Sequence, residues 1–223
     1  MDWSPVLISM KTASLSIFVT FFLGICSAWA VLGIKSRALQ LLIDGILTLP
    51  LVLPPTVAGF FLLYLFGVKR PVGQFFLEYF SVKIAFSWGA TVIAAVVMSF
   101  PLMYRSARGA FEQVPPDLVA AARTLGMSEW SIFWKVLMAN AVPGVVSGGV
   151  LAFARGLGEF GATAMIAGNI AGKTRTLPMA VYSEVAGGNM DTAYRYVSVM
   201  VVAAFSSIVL MNLAVLLEGN RRR

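Results

Sequence analysis

The sequence contains no histidine, a single cysteine and few charged residues. The missing histidine excludes His-ligated metal sites, histidine general bases and histidine proton relays. Cys26 has no second cysteine to pair with, which excludes an internal disulfide and a cysteine cluster. Charged residues make up 12% of the chain, against about 25% in a typical soluble domain. This deficit, with 59% hydrophobic residues, is typical of integral membrane proteins.

Long uncharged runs mark candidate membrane spans. Five runs of 19 to 24 residues lie at 12–34, 45–68, 84–104, 136–154 and 196–217. About 20 helical residues cross a ~30 Å hydrocarbon layer, so each run is long enough to span. A sixth run at 160–172 is too short to cross and rich in glycine, which favours a broken or re-entrant segment. We predict one all-α transmembrane domain over residues 1–223, with about five spanning helices and this short segment.

The basic residues orient the chain only weakly. Five spans place the termini on opposite sides of the membrane. If the arginine tail at 221–223 is cytoplasmic, nine Lys and Arg residues lie inside and eight outside, a small excess in the direction of the positive-inside rule. We therefore predict an external N-terminus and a cytoplasmic C-terminus. The first run lacks a basic flank and a cleavage site, so we predict a retained helix and no signal peptide. Basic residues scattered among loops do not indicate nucleic-acid binding.

Residues 105–135 form a long polar loop in this apolar chain. Pro115 and Pro116 suit a helix start, and Asp117 in the first turn complements the helix dipole. Gly126 suits a left-handed helix end, and Ser128 can cap a second helix that runs into the fourth span. The pattern predicts two helices joined by a glycine turn at the membrane surface.

The first loop helix carries small and medium apolar residues at helical spacing, namely Leu118, Ala121, Ala122 and Leu125. Small side chains let a partner backbone approach closely. The alternative is an amphipathic helix pair lying on lipid, with Trp130 and Trp134 as interfacial aromatics. The residues alone favour neither interpretation.

The segment AAARTLG at 120–126 resembles the EAA loop of importer-type ABC permeases. The match holds at Ala121, Ala122, Gly126 and Val136. It fails at Ala120, where the family has Glu, and at Met138-Ala139, where the family has Leu-Pro. The resemblance implies a cytoplasmic coupling helix that docks on an ATPase subunit through Asp117, Leu118, Ala121, Ala122, Arg123, Thr124 and Gly126. Asp117 and Glu129 are candidates to replace the lost acidic contact.

Two further segments, at 49–63 and 157–182, resemble molybdate ABC permease subunits, with tungstate and sulfate permeases as relatives. The similarity covers roughly residues 10 to 218. It implies a homodimer in the cytoplasmic (inner) membrane of a prokaryote, with a translocation path at the dimer interface. It also implies two cytoplasmic ATP-binding subunits and an extracytoplasmic molybdate-binding protein. ATP and Mg would be bound by the partner, and this chain would bind no cofactor.

Two segments inside or beside the spans are candidates for the pathway. Pro50, Pro54 and Pro55 fall in the second run and are followed by Thr56, which indicates either a packing kink or a bend lining the pathway or its gate. Glu159 is an acidic group at membrane depth, in a segment that includes Gly161 and Thr163. An ion pair with Arg155 one turn earlier is one interpretation, and a gate or dimer contact is the other.

The loop residues Lys173, Thr174 and Arg175, with Lys69 and Arg70, predict an electropositive outer mouth. Such a field would concentrate a dianion or dock an acidic binding protein. The overlapping segment AGNIAGKT at 167–174 imitates a phosphate-binding loop. However, it neither follows a strand nor opens a helix, so we predict no nucleotide site there.

Two other function classes compete with the permease. A membrane enzyme is disfavoured by the missing histidine, the absence of paired acidic residues within the spans and the single cysteine. A stand-alone channel or secondary transporter is disfavoured by the docking-type loop and the absence of a detectable internal repeat.

Overall fold

The computed structural model describes residues 2–221, with side chains described except at 211–212 and 214–221. Throughout these residues the regular structure is helical. The helices are α1 (Ser4–Leu32), α2 (Arg37–Val52), α3 (Pro55–Phe66), α4 (Pro71–Phe80), α5 (Trp88–Glu112), α6 (Pro116–Thr124), α7 (Glu129–Ile132), α8 (Ala139–Leu157), α9 (Gly161–Ala167), α10 (Leu177–Ala186) and α11 (Met190–Arg221). A π-helical stretch, Phe133–Met138, joins α7 to α8. Of the predicted cytoplasmic arginine tail, 222–223 lie outside the described residues.

Four described segments are long and apolar enough to cross a membrane: Ser4–Leu32, Trp88–Glu112, Glu129–Leu157 and Met190–Leu210. The predicted second span is two helices, α2 and α3, which meet at 110°. Counted as one broken span, the pair brings the number to five. The short run after Glu159 contains the seven-residue helix α9, as expected for a broken segment.

The second span breaks because of its prolines. Pro54 and Pro55 supply no backbone N–H to the helix, and Leu53 before them is extended, with φ −68° and ψ 138°. Pro55 then occupies the first turn of α3, where its fixed φ is favourable. The second predicted span is therefore a bent pair of helices, with the bend at the prolines that the sequence singled out.

Helices α1, α5 and α8 form the central bundle through small residues and polar pairs. A Cβ on Gly24 would lie 2.6 Å from the Met103 side chain, so α1 and α5 approach closely at this point. On the same two helices, the hydroxyl oxygens of Thr12 and Thr91 lie 2.9 Å apart in a buried hydrogen bond. Close approach and hydrogen-bonded hydroxyls are the contacts by which helices associate inside lipid.

Candidate functional site

The loop after α5 folds as the sequence predicts. Helix α6 begins at Pro116, with Asp117 in its first turn and Arg123 in its last turn. It ends in a Schellman motif: the Met127 N–H donates to the Ala122 carbonyl, the Gly126 N–H donates to the Arg123 carbonyl, and Gly126 has φ +76°. Ser128 then caps α7 by accepting a hydrogen bond from the backbone N–H of Ser131.

An ion pair spans this glycine turn. Nε of Arg123 donates to Oε1 of Glu129 at 2.7 Å, and the terminal nitrogen NH2 donates to Oε2 at 3.1 Å. The hydrogen bond to Glu129 raises the pKa of Arg123, so the guanidinium stays charged. Two parallel hydrogen bonds fix orientation as well as distance, so the pair sets the angle between α6 and α7. Glu129 is thus paired within the loop, and its role as a replacement for the acid missing at Ala120 stays a prediction.

The predicted apolar stripe on α6 is buried only in part. Ala122 is buried, whereas Leu118 is 46% and Leu125 81% exposed. Neighbouring Val119 lines a small cleft with Trp29, between α6 and the end of α1. Ala122 and Val119 therefore attach α6 to the membrane domain. Leu118, Leu125 and the exposed Ala121 are left for a partner.

The break before α9 is organised by Glu159, whose side chain is buried although it is ionisable. One carboxylate oxygen, Oε2, accepts a hydrogen bond from Arg155 at 2.6 Å, which forms the predicted ion pair. The other, Oε1, accepts from the N–H of Ala162 at 2.8 Å in the first turn of α9. A negative group at a helix start is favourable, so one side chain joins α8 to α9.

The two broken segments pack against each other. A Cβ on Gly161 would lie 2.8 Å from the Pro55 side chain and 3.2 Å from the Thr56 nitrogen. A Cβ on Gly59 would lie 2.6 Å from the Ala162 Cα. The structure therefore brings together residues that the sequence predicted separately. The bend in the second span rests directly on the α9 segment.

The candidate pathway residues differ in exposure. Pro54, Pro55 and Thr56 lie on the exposed side of the bend. Glu159, Gly161 and Thr163 are buried between helices and line no open surface in this conformation. Their assignment to the pathway or its gate stays a prediction; in this structure Gly161 packs against Pro55 in the first turn of α3.

The predicted outer mouth also needs a correction at Thr174. This side chain is fully buried. Its hydroxyl accepts from the Ile170 N–H at 3.1 Å and donates to the Gly168 carbonyl at 3.2 Å. Thr174 therefore holds the loop together and cannot meet an anion at the surface. Lys173 is exposed, and Arg175 is half-buried with a 2.8 Å hydrogen bond to Asn169.

A polar cavity that the sequence did not indicate lies between α5 and α8. It has a volume of about 560 Å³, and Arg105, Gln113 and Asn140 are among its lining residues. Arg105 lies on α5 and Gln113 directly follows its last residue, Glu112, so the two are eight positions, about two helical turns, apart. That spacing was readable in the sequence, but their position opposite Asn140 was not.

The sequence did not indicate a polar network beside this cavity either. Asp44 of α2 pairs with Arg108 and accepts a hydrogen bond from the Tyr104 hydroxyl. Arg108 also donates to Glu112 at 2.8 Å. The network ties α2 to α5 next to the α6 loop. Asp44 directly precedes the uncharged run 45–68, so the sequence alone shows it only as a boundary of that run.

The chain is similar in sequence to known proteins over nearly its whole length. A family model described as "Binding-protein-dependent transport system inner membrane component" matches residues 12–221. The molybdenum transport system permease protein ModB of Escherichia coli K12 is 41% identical over 210 residues, which is 93% of this chain and 91% of that protein. The putative molybdenum transport system permease protein YvgM of Bacillus subtilis is 41% identical over 207 residues, 91% of this chain and 89% of that one.

The fold has a close structural match. A chain from an inward-facing structure of the MetNI methionine ABC transporter superposes with a TM-score of 0.75. The match covers 96% of both chains at 18% identity, which compares the fold alone.

Proposed function

The chain belongs to the family of binding-protein-dependent transport system inner membrane components. On that premise we propose that it is the membrane-spanning permease subunit of an ABC importer that moves molybdate across the cytoplasmic membrane. The observation that carries the proposal is 41% identity to molybdenum permeases of two different bacteria, in each case over about nine-tenths of both chains. The subunit supplies the path and catalyses no reaction itself.

Coupling to ATP hydrolysis runs through α6 in this proposal. The exposed residues Asp117, Leu118, Ala121, Thr124 and Leu125 form the docking surface. Arg123 and Gly126 fix the helix angle, and Ala122 anchors the helix to the bundle. Of the two acidic candidates to replace the Glu missing at position 120, only Asp117 is without a described salt bridge.

The assembly follows from this role. Two copies of the chain form a homodimer with the path between them, and two cytoplasmic ATPase subunits bind ATP and Mg. An extracytoplasmic molybdate-binding protein delivers the anion to the outer loops. If the bent α2–α3 pair crosses once, α6 and the C-terminus lie on one side and the N-terminus on the other. We assign the α6 side to the cytoplasm.

The path itself involves the bend and the polar cavity. The bend exposes Pro54, Pro55 and Thr56. A shift of the Glu159–Ala162 segment would move this bend, because Gly161 packs against Pro55. The cavity lined by Arg105 and Asn140 offers polar surface near the α6 loop, where lipid contact would be unfavourable. ATP-driven movement of α6 would alternate this path between outward-open and inward-open states.

Substrate identity is tested with the assembled complex in proteoliposomes. Oxyanion-loaded binding protein is added, and ATP hydrolysis is measured with molybdate, tungstate and sulfate in turn. Molybdate should stimulate hydrolysis most effectively at low concentration. Stimulation by sulfate alone would assign the chain to sulfate import, and no stimulation by any oxyanion would refute the proposed function.

A further inference from the structure

A second cavity, outside the proposed path, combines three cations with apolar walls. It lies where α3 ends and has a volume of about 460 Å³. Lys69, Arg70 and Lys83 line it, and its lining residues, all described, include no carboxylate. Phe60 and Phe86 are among its apolar walls. Lys69 and Arg70 also belong to the predicted electropositive outer mouth, but the transport role proposed above assigns this cavity no bound ligand of its own.

The neighbouring helix α4 has the features of a helix that lies at the membrane surface. Its ten residues are too few to cross a membrane. Phe75, Phe76, Tyr79 and Phe80 form a continuous cluster on it, with ring centroids 4.8 to 6.0 Å apart, and Tyr79 is 74% exposed. Tyrosine is enriched at the membrane–water interface, so the exposed Tyr79 favours an interfacial position for α4. Arg70 directly precedes Pro71, the first residue of α4, which connects the cavity to this helix.

The three cations have no acidic partner among the side chains that the structure describes. Among the described side chains, no carboxylate lies within salt-bridge distance of Lys69, Arg70 or Lys83. The Arg70 guanidinium lies 3.9 Å from the centre of the Tyr64 ring, which holds it beside the cavity. Three uncompensated positive charges therefore face one space.

We propose that this cavity binds one anionic phospholipid, with its phosphate against the three cations and its acyl chains along the apolar walls. A free oxyanion fits less well, because it would contact the cations but leave the apolar walls around Phe60 and Phe86 uncovered. An acidic protein surface would leave the same walls unfilled. A phospholipid would bring its phosphate to the cations and its acyl chains to the apolar walls. The exposed α3 side chains Phe61 and Leu65 extend the apolar surface.

The test is native mass spectrometry of the detergent-purified, assembled complex with added phosphatidylglycerol or phosphatidylcholine. The wild type should retain phosphatidylglycerol selectively. Lys69→Gln/Arg70→Gln/Lys83→Gln should weaken retention on the order of 100-fold, since each basic residue adds to attraction for anionic lipid. The matched control, Lys11→Gln/Arg37→Gln/Arg195→Gln, removes the same charge from exposed positions elsewhere and should retain the lipid.

Three results would overturn the lipid site. They are equal retention of the two lipids, retention unaffected by the cavity substitutions, and displacement of the lipid by millimolar molybdate or orthophosphate. The last would assign the cavity to a free anion. Should the triple variant fold poorly, Lys83→Gln alone tests the same point through a severalfold loss. Because ATPase stimulation is not the readout, a negative result here leaves the proposed transport function standing.

Discussion

Arg123 and Glu129 hold each other in a two-bond ion pair across the Gly126 turn, with nitrogen–oxygen distances of 2.7 and 3.1 Å. The pair lies at the surface, so its contribution is to geometry more than to stability. It connects the last turn of α6 to the first turn of α7. We expect the pair to help transmit a movement of a docked α6 to α7.

Arg123→Gln should weaken the coupling between oxyanion delivery and ATP hydrolysis without unfolding the protein. We expect oxyanion-stimulated ATP hydrolysis to fall roughly fivefold, the low end of typical coupling effects. The thermal midpoint in detergent should move by no more than about 2 °C, because exposed ion pairs add little stability. The swapped pair Arg123→Glu/Glu129→Arg is the control and should recover most of the coupling. Full coupling in Arg123→Gln would show that the pair does not set the angle.

The contact between α3 and α9 predicts a different effect for two glycines. Gly59→Ala should destabilise the protein by about 1–3 kcal/mol, because the new methyl group would meet the Ala162 backbone, which cannot rotate away. Gly45→Ala is the matched helical control, since nothing lies within 4 Å of its Cβ position. It should gain up to about 1 kcal/mol from helix propensity. Denaturant unfolding in detergent measures both, and equal effects would contradict the packing described.

The buried carboxylate of Glu159 predicts a graded series. Glu159→Ala should cost about 3–5 kcal/mol, because it uncaps α9 and leaves Arg155 without its partner. Glu159→Gln keeps an acceptor for the Ala162 N–H and should cost only about 1–2 kcal/mol. The same unfolding measurement distinguishes them. Identical losses would mean that the charge alone, and not the cap, matters.

The exposed Lys173 predicts a salt-dependent defect. Lys173→Glu should slow association of the loaded binding protein roughly tenfold at low ionic strength, and less at high salt, because long-range attraction is screened. Lys173→Gln should show about half of the effect on a logarithmic scale. Stopped-flow association with the reconstituted complex provides the rates. Unchanged rates in both variants would exclude steering and docking at this loop.

Much of the architecture could be predicted from the spacing of charges. Runs of 19 to 24 uncharged residues located four helices long enough to cross the membrane, since charge is excluded from lipid regardless of tertiary detail. Pro54 and Pro55 indicated a kink or bend in the remaining run. Its size, 110°, depends on how α3 packs against α9, which local sequence does not encode.

The loop was equally readable, because its signals are local. Pro116, Asp117, Gly126 and Ser128 each act within one turn of their own backbone. The sequence did not indicate that Ala122 faces the membrane domain, because the α6 stripe contains small residues on both its inner and its outer side.

Contacts between residues that are far apart in the chain could not be predicted from the sequence. The contact of Asp44 with Arg108 and Tyr104 joins positions about sixty residues apart. Neither segment contains a pattern that indicates the other as its partner. By contrast, Arg155 and Glu159 are four residues apart on one helical turn, so their ion pair was predicted and is confirmed.

ATP-driven molybdate accumulation in vesicles, compared between wild type and Leu118→Asp/Leu125→Asp, tests the central claim most directly. Both leucines are exposed, so the double variant should fold normally. The wild type should accumulate molybdate against a gradient and copurify with its ATPase, and the variant should do neither. Accumulation that persists in the variant, or that needs no ATPase, would contradict the account.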